Sequence, residues 1–138
     1  MTYKIFIPID STSLSLGANE VYEEIKREAL KREVDLTIIR NGSRGLFWLE
    51  PLVEVETSNG RVAFGPVTVD DVKNLFDQEF YIGKDGDLCL GLTDELHWLK
   101  NQERLTFARV GITDPVNIND YEKYDGFKAV SYTHLRAH

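Results

Sequence analysis

Cysteine is almost absent: Cys89 is the single thiol in 138 residues. One thiol forms no internal disulfide, which fits a reducing cytoplasm. With no Cys or His near it at metal-ligand spacing, the expectation for Cys89 is a packed side chain. Long hydrophobic runs are missing as well, since no stretch approaches the roughly 20 apolar residues that span a bilayer. The opening "MTYKIFIPID" has no basic leader, long apolar region or small-residue cleavage site. Positive charge is in short supply: 16 Lys and Arg against 23 Asp and Glu give a net charge of −7. That balance speaks against nucleic acid as a partner, because phosphate contacts need clustered cations. No GxGxxG, Walker A, zinc-binding or nucleophile-elbow pattern occurs.

The chain does carry the punctuation of an α/β domain. "KIFIP" (Lys4 to Pro8) is a short apolar run ended by proline, and reads as a strand. "DSTSLSLG" reads as a loop. From Ala18 to Arg32 the apolar residues Ala18, Val21, Tyr22, Ile25 and Ala29 recur on one helical face,. Acids come early in that segment and bases late, as the helix dipole favours. Val34 to Arg40, rich in β-branched residues, predicts a second strand. The alternating Leu52 to Glu56 and the run Arg61 to Phe64 flank "TSNG", whose Asn-Gly pair predicts a tight hairpin with φ > 0 at both residues. Thr68 with Asp71 three residues on predicts a capped helix. Asp70 and Asp71 are then first-turn acids rather than a paired-carboxylate site. Strand, helix, strand, hairpin and helix is the order of a thioredoxin-like α/β domain. Beyond Gly83 a loop, a connector and a new unit with an N-cap at Asn119 or Asp120 are expected. His97, beside Trp98 in the connector, has no Ser, Cys or carboxylate partner in view, so it reads as a packing or solvent-facing group.

Two glycine-bearing loops remain. "IPIDSTSLSLGA" (Ile7 to Ala18) and "RNGSRG" with the following "EPLVEV" resemble the two cluster loops of thioredoxin-like [2Fe-2S] ferredoxin domains. In that family the loops carry two cysteines five residues apart, then a C-x-G-x-C-G pattern. Laid on this chain, the four cysteine positions fall on Pro8, Ser13, Arg40 and Arg44. Gly17, Ala18, Gly42, Gly45 and Pro51 keep the loop framework. Proline has no donor, arginine is cationic and one serine does not hold a cluster. The resemblance thus implies the fold without the metal.

The longer phrase "RNGSRGLFWLEPLVEVET" with "LKNQERLTFARVGITDP" resembles the N-terminal part of the β subunit of cytoplasmic NAD-dependent formate dehydrogenases, as far as about Phe127. That family shares its FMN- and NADH-binding subunit with respiratory complex I and bidirectional hydrogenases. "DPVNINDYEKYDGFKA" resembles the start of the flavin-binding unit, with Asp125, Gly126 and Phe127 where Gly-Gly-aromatic is usual. "VSYTHLRAH" (Val130 to His138) departs from the pattern and matches the in-frame translation of a transposase sequencing adaptor. His134 and His138 fall inside it. The expected organisation is therefore 1–88 as a cluster-free ferredoxin-type domain, 89–129 as connector and truncated start of the FMN/NADH unit, and 130–138 as an artefact.

Several expectations follow from the resemblance. The FMN, NADH and [4Fe-4S] sites of the whole subunit lie beyond the truncation, so this fragment holds no cofactor, metal or catalytic residue. Its role is assembly with the other subunits of a formate dehydrogenase or complex I-like complex, without membrane insertion. Leu46 to Leu49 either contacts such a partner, as Phe and Trp at interface cores do, or fills the domain's own core. The competing reading is a stand-alone thioredoxin-like module that binds an anion at Arg40 and Arg44.

Overall fold

The computed structural model describes the backbone of residues 1–136 and the side chains of residues 1–133. Ala137 and His138, the end of the adaptor-like segment, lie outside the described residues, as does the side chain of His134. Five strands form one sheet: β1 (Tyr3–Phe6), β2 (Leu36–Ile39), β3 (Val53–Thr57), β4 (Gly60–Phe64) and β5 (Cys89–Leu92). Their order is β2-β1-β3-β4-β5. β1 and β2 run parallel, joined through the crossover helix α2 (Ala18–Lys31), and the remaining pairs are antiparallel.

One sheet face is apolar because alternate strand residues point to it. Ile5, Ile7, Val53, Val55, Val62 and Phe64 meet Val21, Ile25 and Ala29 of α2 there, with Val72, Leu75 and Phe76 of the helix spanning Val72–Asp77, and Phe80. That helix is α3. Its entry uses the expected capping box: the Thr68 amide and hydroxyl both donate to Asp71 Oδ2, at 2.8 and 2.6 Å.

Four local expectations need correction. Ser11–Ser15, read as loop, is a short helix α1, because Asp10 caps it by accepting from the Ser13 amide. The hairpin turns at Ser58 and Asn59, and only Gly60 takes positive φ, at 120°. Asn59 stays outside the left-handed region because the following glycine absorbs that strain at no steric cost. Cys89–Leu92, read as loop, is the fifth strand, so the sheet continues past residue 88. Short α4 (His97–Lys100) follows it, and α5 (Ile118–Lys123) is capped by Asn117 rather than by Asn119 or Asp120. The Asn117 side chain accepts from the amides of both those residues, at 2.9 and 3.4 Å. α6 (Lys128–Arg136) closes the described chain.

Candidate functional site

The C-terminal ends of the two parallel strands lead directly into the two loops of interest. Their pairing continues past the strands, with Ile7 N donating to Ile39 O at 3.0 Å and Ile9 N to Asn41 O at 2.9 Å. This is why positions far apart in sequence converge: Pro8 and Ser13 sit in the first loop region, Arg40 and Arg44 in the second.

Each of the four has an internal role. Arg40 reaches across to the first loop, donating from Nε to Ile7 O (3.1 Å) and from Nη2 to Pro8 O (3.1 Å) and Asn19 Oδ1 (2.9 Å). Its guanidinium lies 4.5 Å from the Tyr22 ring centroid, a cation–π geometry. Burial pulls its pKa below the ordinary arginine value, against the opposing pull of Tyr22 and the acids Asp114 and Glu23. Ser13 is fully buried and its hydroxyl donates to Asp10 Oδ1 at 2.8 Å. Arg44 is buried and forms an ion pair with Glu54, Nη2 to Oε1 at 2.9 Å. An anion cradle needs outward-facing donors. These guanidiniums instead turn inward, which argues against the anion-binding reading.

Glu54 was invisible as a site residue in the sequence. It pairs across the sheet with Phe6 and Ala63, on the face opposite the core, where alternation places solvent-facing groups. The connector covers that face, and Glu54 is 1% exposed. Around its carboxylate stand Arg44, Asn41 (Nδ2 to Oε2, 3.2 Å) and Arg61 (Nη1 to Oε2, 3.7 Å). Arg61 also stacks 3.5 Å from the Phe6 ring centroid, and burial lowers its pKa despite Glu54. A second buried carboxyl, Glu50, accepts from Ser43 Oγ and Leu52 N, both at 2.8 Å. Burial raises its pKa above the ordinary value, and Asp10 adds to the rise; the hydrogen bonds from Leu52 and Ser43 oppose it.

Beside the loops opens a cleft of about 540 Å³, with walls from Thr12, Ser43 and Phe47 on one side and Val110, Pro115 and Tyr121 on the other. The run Leu46 to Leu49 is divided in its burial. Leu46 is buried, whereas Phe47 and Trp48 are 52% and 58% exposed. Trp48 meets the equally exposed Trp98 edge-on, ring centroids 5.7 Å apart, and His97 also meets Trp98 edge-on, at 5.6 Å. The indoles thus form a surface pair that sequence separation concealed. Cys89 is half-buried against the core, as expected of a packed thiol.

The fold is shared with solved structures. A crystal structure of the thioredoxin-like [2Fe-2S] ferredoxin from Aquifex aeolicus is similar, with TM-score 0.54 and 17% identity over 65% of this chain and 97% of that one. A cysteine-to-serine variant of that ferredoxin matches with TM-score 0.53 and 18% identity, over 64% and 98% of the two chains. The fold is thioredoxin-like. No family model matches the chain, and no curated protein matches it in sequence.

Those proteins are [2Fe-2S] ferredoxins, and the residues here do not fit such a cluster. Cluster iron takes thiolates, with imidazole as the known substitute. The positions assigned by resemblance offer a proline, a buried hydroxyl hydrogen-bonded to a carboxylate, and two guanidiniums. Among the described residues no group of three or more His, Cys, Asp or Glu is placed to hold a metal ion. No helix among them is long and apolar enough to cross a membrane.

Proposed function

We propose that the chain is the N-terminal, cluster-free ferredoxin-type domain of the NADH- and FMN-binding, electron-transferring subunit of an NAD-linked formate dehydrogenase, and that it serves subunit assembly. The observation that carries this reading is the second loop: the sequence resemblance assigns it to a cluster loop, yet Arg40 and Arg44 there bond to the protein itself. A ferredoxin framework whose ligand positions have become structural retains its surface, and a surface suits docking. The exposed Phe47, Trp48 and Trp98 are the contact expected of such a domain, since Trp and Phe concentrate at interface cores.

FMN, NAD and a [4Fe-4S] cluster belong, on this reading, to the longer subunit. The experiment is co-expression of the subunit bearing Trp48→Ala with its cluster-carrying neighbours. Loss of the assembled complex with the domain still folded supports the proposal; full assembly by the Trp48→Ala,Trp98→Ala double variant contradicts it. A molybdenum-type formate dehydrogenase catalytic subunit encoded beside this gene separates this parent from complex I or a hydrogenase.

A further inference from the structure

We propose that the second loop, with Glu54 and Arg61, is an intrachain docking site that clamps residues 111–113 of the connector through their backbone. Three consecutive connector carbonyls are taken by donors from the domain. Gly111 O accepts from Asn41 Nδ2 at 2.8 Å and from Arg61 Nη1 at 3.1 Å. Ile112 O accepts from Arg61 Nη2 at 3.1 Å, and Thr113 O from the Gly42 amide at 3.1 Å. In return Arg104 Nη2 donates to Arg44 O at 3.4 Å.

Apart from the Arg104 side chain, the polar attachment of the connector runs through its backbone. Arg109 and Val110 are exposed, and Gly111 has no side chain. Gly111 adopts φ +80°, and a Cβ there would stand 2.2 Å from Arg44 Cδ. The dock therefore recognises a turned backbone with glycine at its centre. Glu54 is the organiser: Arg44, Arg61 and Asn41 all face its carboxylate. Buried charge-assisted hydrogen bonds are stronger and less salt-screened than exposed ones. A segment held by its carbonyls to a rigid sheet leaves the domain at one angle, whatever unit follows it. The clamp rests on contacts within this chain and is independent of the parent enzyme.

Trypsin digestion of the intact chain at the Arg109–Val110 bond, followed by mass spectrometry, tests the clamp. Cleavage follows the population of the open segment. The expected result is that Gly111→Ala and Glu54→Gln each speed cleavage after Arg109 by about tenfold or more. Hydrogen exchange of the β1 and β3 amides stays slow in Gly111→Ala, while exchange of the Gly42 amide accelerates. If Glu54→Gln unfolds the domain, Gly111→Ala, which alters only the connector side, decides alone. Cleavage of the wild type as fast as a free peptide spanning residues 104–114, or an unchanged rate in Gly111→Ala, overturns the clamp.

Discussion

The Arg40 guanidinium donates to the Pro8 carbonyl across 3.1 Å, tying together two of the positions that the ferredoxin resemblance assigns to cluster cysteines. Where a metal would cross-link two loops, an arginine does so with three acceptors. Arg40→Ala removes these bonds and the Tyr22 stack, and is expected to lower unfolding free energy by about 2 kcal/mol. Arg40→Lys should restore less than half of that loss, because an ammonium lacks the planar fork. Urea unfolding of the three proteins measures it.

Glu54 sits at the centre of the opposite cross-link. Glu54→Ala leaves Arg44 and Arg61 buried without their carboxylate and should cost about 3–5 kcal/mol. The paired replacement Arg44→Met,Glu54→Leu should cost less, since Arg44 goes with the carboxylate and only Arg61 is left without it,. Equal losses in the two variants would show that the ion pair is not what the site depends on.

These cross-links mark the limit of what the sequence discloses. The helix Ala18–Lys31 and the strands Leu36–Ile39 and Val53–Thr57 follow from local periodicity, and the Thr68–Asp71 cap follows from spacing alone. Glu54 does not, because alternation places it outward, and it is enclosed by Asn41, Arg44 and Arg61, two of which reach on to Gly111 in the connector. β5 was hidden for a related reason: Gly91 interrupts a short run whose strand character comes from pairing with β4,. Trp48 and Trp98 form one patch only in the folded chain.

Glu50 gives the domain a specific pH response. Its pKa is raised, so between its ordinary value of 4.5 and the higher folded value the native state binds more protons than the unfolded one. Stability then falls as pH rises through that window. The penalty is absent below the window and complete above it. Glu50→Gln removes the ionisable group, so its stability should exceed the expected wild-type trend at neutral pH and lose that advantage towards pH 4.5. Denaturation series from acid to neutral pH in both proteins compare the slopes; identical slopes would exclude Glu50 as their source.

Trp48→Ala should leave the isolated domain within about 0.5 kcal/mol of wild type, as surface substitutions do. Tryptophan fluorescence should still change on adding the partner subunits to wild type, since Trp48 and Trp98 both lie at the surface. A large loss of stability in Trp48→Ala would instead assign the indole to the fold.

We propose that this thioredoxin-like domain works without a cluster. Anaerobic reconstitution of the purified chain with iron and sulfide, followed by desalting and assay of both, tests it most directly. The account predicts substoichiometric iron, no acid-labile sulfide and no visible absorption band. Stoichiometric iron and sulfide, retained with a visible chromophore, would contradict it.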